Sequence, residues 1–418
     1  MGARADALTW GIAALASAGV LVRPWRLPEA IWAVLGALLL VLLGLLSPAD
    51  ALRAAARGTD VYLFLTGMML LSEVARREGL FDFLAALAVR GARGSASRLF
   101  LLVYGVGTAV TALMSNDATA VVLTPAVLAA ARAAGADPLP LLFACTFIAN
   151  AASFLLPISN PANLVLYASQ VPPLPDWLGH FILPSMASIG VTYAVLRWRE
   201  RRRLRAPIHA SPAADRLGAG GVTAALGIAA TAAALLVASA AGWQLGLPTC
   251  LCGTATAAVV LVRKREAPWP VIAGVHWAVL PLVAGLFVLV QGLAGTGALA
   301  ALAALLKSLS AVSATAAAWT AGAVLAVGCN LINNLPAGLI ASTTAAAAQA
   351  PRPVRDALLI GVDLGPNLSI TGSLATILWL VALRRDGLDV SFRRFLARGA
   401  LVMPPALIAA LAATLLTR

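Results

Sequence analysis

Charged residues are scarce in this sequence. They make up 11% of its 418 residues, against about 25% in a typical soluble domain. Hydrophobic residues reach 61% and the mean hydropathy is +0.91, so a soluble fold of this length is excluded. Unbroken apolar runs such as 31–46 and 222–241 approach the roughly 20 residues of a membrane-spanning helix, and the short alternating strands of a β-barrel are missing. The composition predicts an all-α polytopic membrane protein.

Metal-binding and enzyme motifs are also missing. The four cysteines are scattered, and Cys250 and Cys252 lack both zinc spacing and a following histidine pair. The sequence shows neither an intramembrane His/Glu metal pattern nor a Gly-x-Ser-x-Gly elbow. We therefore expect no metal, no cofactor and no catalytic residue. A membrane enzyme or a non-transport membrane subunit stays as the more distant functional alternative.

The net charge of +13 comes almost entirely from arginine. Six arginines lie within residues 197–205, and a second basic group occupies 263–265. Two apolar segments separate these groups, so both lie on the same side of the membrane, which the positive-inside rule makes cytoplasmic. A nucleic-acid or phosphate patch is the weaker interpretation. The pattern divides the chain into a first transmembrane repeat (1–196), a cytoplasmic basic linker (197–219) and a second transmembrane repeat (220–418).

Polar motifs recur in both halves in the same order. Asn116 and Asp117 precede an apolar segment, as Asn333 and Asn334 do 217 residues later. Residues 159–163 correspond in turn to residues 365–367. Several apolar segments near the second pair, notably 161–170, 354–364 and 371–383, are too short to span the bilayer. Short interrupted segments at matching positions of two halves are typical of a transporter site. The sequence alone does not determine whether the repeat is inverted.

Such interruptions can form a solute site because a helix broken inside a bilayer exposes backbone groups that lipid cannot satisfy. Polar side chains and half-helix ends then face protein or a water-filled cavity. We expect Asn116 and Asn333 to cap the helices that follow them at hairpin tips. The alternative is that the Asn, Gly and Pro residues of these motifs belong to ordinary loops outside the membrane. The predicted substrate-binding residues are Asn116, Asn160, Asn163, Asn333, Asn334, Asn367, Ser369, Thr371 and Ser373.

Two acidic residues stand apart from the other fifteen. Asp117 and Asp363 fall within the motifs, whereas the others lie near arginines or at segment ends. A carboxylate at membrane depth costs about 2.5–3.5 kcal/mol on insertion scales, and desolvation favours its protonated form. Both residues are therefore predicted to couple protons to transport. For Asp117 the alternative role is a cap for the helix that begins near residue 119.

These motifs resemble those of the ArsB-type arsenite efflux pump family, within the larger ion transporter superfamily. Residues 363–376 match that family's D-L-G-P-x-x-x-x-x-G-S-L-A-T stretch, and residues 116–125 match its N-D-x-x-x-x-x-L-T-P hairpin. Residues 333–336 match its N-N-x-P. The resemblance implies two inverted repeats, each with a re-entrant helical hairpin and a broken transmembrane helix, arranged as a scaffold and a transport domain. It also implies a multi-pass protein of the bacterial inner membrane, and for some members a soluble ATPase partner.

The expected function is export of arsenite or antimonite in exchange for protons. A neutral As(OH)3 suits a site of amides, hydroxyls and backbone groups, whereas a dicarboxylate needs cations that the motifs lack. A sodium/proton antiporter of the same superfamily stays as the alternative, because sodium also binds broken-helix carbonyls with an aspartate. The expected partners are the solute, protons and the lipid bilayer, with no nucleic acid. The oligomeric state is left open.

Overall fold

The computed structural model describes residues 2–167, 171–209 and 216–417. Within them, a single bridge between Ser95 and Pro207 is the only strand-like pairing. The all-α prediction is confirmed. The α-helices are α1 (Ala3–Val22), α2 (Glu29–Leu42), α3 (Pro48–Ala56), α4 (Thr59–Arg77), α5 (Leu80–Ala92), α6 (Ala96–Leu113), α7 (Thr124–Ala133), α8 (Pro138–Ala151), α9 (Pro161–Tyr167), α10 (Leu174–Glu200), α11 (Ala219–Ala240), α12 (Gly246–Lys264), α13 (Trp269–Gly274), α14 (Val279–Ala294), α15 (Ala298–Val312), α16 (Ala314–Ile332), α17 (Asn334–Ala347), α18 (Arg352–Leu364), α19 (Leu374–Arg385) and α20 (Phe392–Ala413).

Seven of the described helices are long and apolar enough to cross a bilayer. They are α1, α6, α10, α11, α12, α16 and α20, the last together with the short turn that follows it. An eighth crossing results if α14 and α15, which meet at a bend of 77°, form one span. The helices α11 and α12 are the two spans predicted between the two basic groups. The chain is a multi-pass membrane protein.

The two halves carry the same order of elements. In the first half, α6 ends at a break before a π-helical turn (Ala118–Leu123) and α7; α8 ends at a second break before the short α9; and the long α10 follows. In the second half, α16 and α17 flank the first break, α18 and α19 flank the second, and α20 follows. All four predicted motifs therefore interrupt helices. Residues 168–170 of the predicted segment 161–170 lie outside the described residues.

The predicted linker 197–219 begins inside the last turn of α10. A short 3-10 turn covers Arg203–Arg205, and residues 210–215 lie outside the described part of the chain. Arg203 pairs with Asp137 at the start of α8 (Nη1–Oδ2 2.9 Å), and Lys264 at the end of α12 pairs with Glu78 after α4 (Nζ–Oε1 2.7 Å). These contacts lie on the side of the molecule that we call the basic face. The division into two repeats and a linker stays a prediction.

Glycines let α18 approach α16 closely. A Cβ atom on Gly361 would lie 2.5 Å from the carbonyl oxygen of Gly322, and one on Gly365 would collide with the backbone of Ala326. Small residues at helix crossings in membranes permit this backbone-to-backbone packing. The contact continues past the end of α18, so it also holds the start of the second broken segment against α16.

Candidate functional site

Each hairpin tip is a short break with its own cap. In the first half the helix stops at Met114, and the hydroxyl of Ser115 accepts from the amide of Ala118 (3.2 Å). Asn116 is buried, and its Oδ1 has no hydrogen-bond partner among the described residues. The capping prediction for Asn116 is therefore wrong, because Ser115, one residue earlier, caps the tip. Asp117 follows within the helical turn and makes no capping bond, so the capping alternative for it is also wrong.

In the second half, Asn333 adopts a positive φ of 73° at the break. Its Oδ1 accepts from the amide of Leu335 (3.4 Å), so the capping prediction is confirmed here. Asn334 follows as the first residue of α17 and is buried. Its ψ of 154° places it outside the left-handed helical region, in a conformation that is costly for any residue other than glycine, so this hairpin tip is a strained turn.

The first broken segment, between α8 and α9, is satisfied largely by its own side chains. Nδ2 of Asn163 donates to the carbonyls of Ser153 (2.9 Å) and Pro157 (3.2 Å). Oδ1 of Asn160 accepts from the amide of Ala162 (3.0 Å), and the hydroxyl of Ser159 donates to a carbonyl of α6 (3.2 Å). These bonds replace the helical partners that the break removes.

The second broken segment, between α18 and α19, is held by a residue that sequence reasoning missed. Asn330 of α16 donates through Nδ2 to the carbonyl of Gly365 (3.1 Å). Its Oδ1 accepts from the amide (3.0 Å) and hydroxyl (2.8 Å) of Ser369, and its carbonyl accepts from the hydroxyl of Thr371 (2.8 Å). Ser373 caps α19 through the amide of Thr376 (3.1 Å). One asparagine thus ties the break to its own hairpin.

Two of the buried side-chain pairs between the halves lie at the broken segments. Nδ2 of Asn160, in the first broken segment, donates to Oδ1 of Asp363 in the last turn of α18 (2.8 Å). Nδ2 of Asn150, in the last turn of α8, donates to Oδ1 of Asn367 in the second broken segment (3.0 Å). All four residues are at most 1% exposed. We call these contacts the crossed pairs, because each joins a helix end of one half to the break of the other.

Several buried acceptors near the crossed pairs have no partner among the described residues. They are Oδ2 of Asp363, Oδ1 of Asn150 and Oδ1 of Asn163. Unpaired buried polar atoms are uncommon in native structures, and each calls for a ligand, water or proton to explain it. The free oxygen of Asp363 belongs to the one carboxyl among these groups, so it can take up a proton without losing its bond from Asn160.

A cavity of about 600 Å³ opens on the basic face and reaches the first hairpin tip. Its wall includes Ser115 and Asp117 from the tip, Glu73 and Arg76 from the end of α4, and Pro161 at the start of α9. Of the predicted site residues, all of which the structure describes, only Asp117 lines this cavity. Glu73 and Arg76 bind each other at 2.6 and 2.8 Å. The other ionisable side chains in the wall are Asp82, His276, Arg385 and Asp386.

A second cavity of about 530 Å³ lies at the other end of α4. Asp60, which lines it, is 13 residues from Glu73 in the basic-face cavity, or about 20 Å along the helix. Leu164 and Val165 of α9 form part of its wall. Because Pro161 lines the first cavity, the two spaces approach the same short helix within about 5 Å of axial rise. Along α9, a single turn therefore separates the two cavities.

This architecture defines the chain as a polytopic membrane transporter, because two cavities at opposite ends of α4 face buried polar breaks. The profile of the CitMHS family, described as citrate transporter, matches residues 15–361, and the chain belongs to this family. Its curated relatives include the arsenical pump membrane protein of Escherichia coli K12, 26% identical over 91% of this chain and 92% of that protein. The resemblance to ArsB-type transporters is confirmed.

Other relatives also match most of the chain. The arsenical pump membrane protein of Yersinia enterocolitica is 28% identical over 83% of both chains. An uncharacterized transporter of Mycobacterium tuberculosis is 27% identical over 92% of this chain and 93% of that protein. Among solved structures, the YdaH transporter of Alcanivorax borkumensis has a TM-score of 0.55 at 19% identity, over 88% of this chain and 86% of that one. That similarity shows a shared fold.

Proposed function

We propose that this transporter exports arsenite or antimonite across the bacterial inner membrane in exchange for protons. The observation that carries the proposal is the pair of Asn160 and Asp363, in which a wholly buried carboxyl keeps one oxygen free where the broken segments of the two halves meet. The names of the arsenical pump relatives support the choice of solute. A charged carboxylate at this depth is costly, so its protonation state can respond to what occupies the site.

In the proposed cycle, Asp363 and Asp117 take up protons from outside as the solute leaves, and then release them inside. Asp363 would exchange its proton in the barrier between the cavities, through its free oxygen. Asp117 would pass protons to and from water in the basic-face cavity, which we assign to the cytoplasmic side because the exposed arginines lie there. Neither step requires a metal or a cofactor.

The polar groups around the breaks favour a small neutral solute. Amides, hydroxyls and carbonyls such as those of Asn160, Asn330 and Ser369 can exchange hydrogen bonds with the three hydroxyls of As(OH)3. Citrate is a poor fit, since the basic-face cavity presents four carboxylates and only two guanidinium groups, and Arg76 is already bound to Glu73. The family description therefore supports a carrier protein, whereas the charges that line the cavity argue against citrate as its solute.

We further propose that the two repeats are inverted and move as a transport unit against a scaffold. The residues after the first hairpin tip line the basic-face cavity, whereas Leu339, Ser342 and Thr343 after the second tip line the opposite one. That difference supports hairpins entering from opposite sides. Both cavities have α4 and α14 on one wall and motif-bearing helices on the other, which supports α4 and α14 as scaffold. A soluble ATPase partner, implied by the resemblance, is not required by this exchange.

The direct test is arsenite sensitivity and accumulation in a bacterial host that lacks its own pump and expresses this chain. We expect lower accumulation and higher resistance than in the empty host. Everted vesicles with an imposed proton gradient then identify the exchanged ion. Arsenite should dissipate the gradient, whereas dissipation by sodium alone would replace this proposal with the sodium/proton antiporter.

A further inference from the structure

The longest helix of the protein ends in a dense arginine group. With 27 residues, α10 is about 40 Å long, which exceeds the roughly 30 Å of a bilayer's hydrocarbon core. Its last turn therefore emerges at the level of the lipid headgroups on the basic face. Trp198 lies in this turn and is 56% exposed, and the guanidinium of Arg201 stacks over its ring at 5.4 Å. Tryptophan is enriched at this depth because its ring suits the interface.

In the part of the chain that the structure describes, four arginines of this group lack acidic partners, whereas Arg203 pairs with Asp137. Within the described chain, Arg199, Arg201, Arg202 and Arg205 are exposed and form no ion pair, and we call these four residues the arginine patch. The nearby carboxylate of Glu200 is buried and already occupied, by Arg398 at 2.9 Å. The patch thus presents four positive charges to its surroundings.

Two other basic side chains on the same face have carboxylate partners. Lys264 pairs with Glu78 at 2.7 Å, and Arg384 pairs with Asp389 at 2.8 Å. The positive-inside rule explains why basic residues gather on this face, but it applies equally to the paired and unpaired groups. Within the described ranges, no carboxylate pairs with the four arginines of the patch, which leaves them open to an anion supplied from outside the chain.

The segment that follows the patch is fastened to the first hairpin. The amide of Ile208 donates to the carbonyl of Gly94 (3.1 Å), just before α6, and the amide of His209 donates to the carbonyl of Ala134 (2.8 Å), just after α7. Both ends of the hairpin that carries Asp117 are therefore held by the chain leaving the patch. Exposed arginines at positions 93 and 98 flank the same attachment.

We propose that the arginine patch binds the phosphate groups of anionic phospholipids in the adjoining leaflet and thereby steadies the first hairpin where it leaves the membrane. Guanidinium groups bind phosphate oxygens through paired, charge-assisted hydrogen bonds. Basic clusters directly beyond a spanning helix attract anionic lipid. A lipid is favoured over a soluble acidic protein because the patch continues a membrane helix and carries an exposed tryptophan at headgroup depth.

The test uses the full chain in nanodiscs of phosphatidylcholine with and without a minor fraction of phosphatidylglycerol, and native mass spectrometry counts retained lipids. The double variant Arg199→Gln/Arg202→Gln should lower phosphatidylglycerol retention about tenfold or more. The matched control Arg263→Gln/Arg265→Gln removes the same charge from the same face, beside Lys264 and its carboxylate partners Glu78 and Glu266, and should retain lipid as the parent does. Equal losses in both variants would overturn the proposal in favour of bulk attraction.

A second measurement on the unchanged protein covers the case of a variant that fails to fold. Hydrogen exchange of the amides around residues 94–98 and 208–209 should slow when phosphatidylglycerol replaces part of the phosphatidylcholine. Unchanged exchange would contradict the proposal. If inorganic phosphate gave the same protection in pure phosphatidylcholine, the patch would bind a soluble anion instead. If polyglutamate displaced phosphatidylglycerol from the parent and the patch variant lost no lipid, the patch would bind an acidic protein instead.

Discussion

The crossed pairs have the same geometry and different chemistry. In each, an asparagine amide donates across the middle of the molecule to an oxygen of the other half, at 2.8 Å for Asn160 with Asp363 and 3.0 Å for Asn150 with Asn367. Both pairs are buried, and both join a helix end to a broken segment. Only the first contains a group that can gain or lose a proton. The two pairs are therefore nearly equivalent in position and differ in one group, a titratable carboxyl in the first and a neutral amide in the second.

The difference separates two tasks. A neutral amide pair contributes about 0.5–1.5 kcal/mol of net stability and does not respond to pH, whereas a bond to a charged group contributes about 1.5–3 kcal/mol and changes with protonation. Asn150 and Asn367 can hold the halves together in every state of the cycle. Asn160 and Asp363 can do so with a strength that depends on the proton, which is what exchange requires.

The largest effect should come from Asp363→Asn, which makes both crossed pairs neutral. We expect arsenite efflux driven by a pH gradient to fall to the background of the empty host while the protein still inserts and folds, because the amide replaces the carboxyl at nearly equal volume. Arsenite uptake into everted vesicles, which corresponds to export from the cell, measures this at several imposed gradients. Unchanged proton coupling would remove Asp363 from its proposed role.

The next effect should come from Asn160→Ala, which leaves the Asp363 carboxyl without its described hydrogen bond. The loss of a bond to a charged group predicts efflux lower by about ten- to a hundredfold. Asn150→Ala is the matched control, since it breaks the neutral pair, and it should lower efflux by less than about tenfold. Initial rates in vesicles give the comparison. If the two variants were equally impaired, the charge difference between the pairs would have no effect on transport.

A smaller effect should follow from Asn330→Ala, which sharpens the comparison between the two breaks. The second break loses its side-chain bonds to Gly365 and Ser369, and we expect unfolding in detergent to become easier by about 1–3 kcal/mol. Ser159→Ala removes two 3.2 Å bonds of the first break, to the amide of Leu156 and the carbonyl of Ala112, and should cost less, about 1 kcal/mol. Thermal unfolding followed by circular dichroism measures both. A larger loss of stability in Ser159→Ala than in Asn330→Ala would show that the first break depends more on side-chain hydrogen bonds.

The smallest effect is expected for Asp117→Asn. Because Asp117 lines an open cavity, water can partly replace its carboxyl, and we expect severalfold slower efflux with its dependence on the pH gradient retained. Asp386→Asn, which removes an exposed carboxylate from the mouth of the same cavity, is the control and should leave the rate unchanged. Complete loss of coupling in Asp117→Asn would place the decisive carboxyl at the hairpin tip instead.

Local sequence patterns predicted most of the helix breaks and fewer of the hydrogen bonds that hold them. Short apolar segments and Asn-Asx pairs indicated where helices break, because such breaks need polar caps wherever they occur. Asn330 and Asn150 were missed because each is a lone amide inside an apolar run, which resembles any buried asparagine. Their partners Ser369 and Asn367 are 39 and 217 residues away, and no periodicity reports contacts at that separation. The cap at Asn116 failed because Ser115 was equally suitable and better placed.

The thin barrier at α9 has an electrical consequence. With water in both cavities, most of the membrane voltage falls across the single turn between Pro161 and Leu164. A charge that crosses this turn traverses nearly the whole field, at about 2.3 kcal/mol per 100 mV. Under the proposed exchange the solute is uncharged and the protons are not, so each turnover moves net current, and the membrane potential itself drives export through a movement of only a few ångströms.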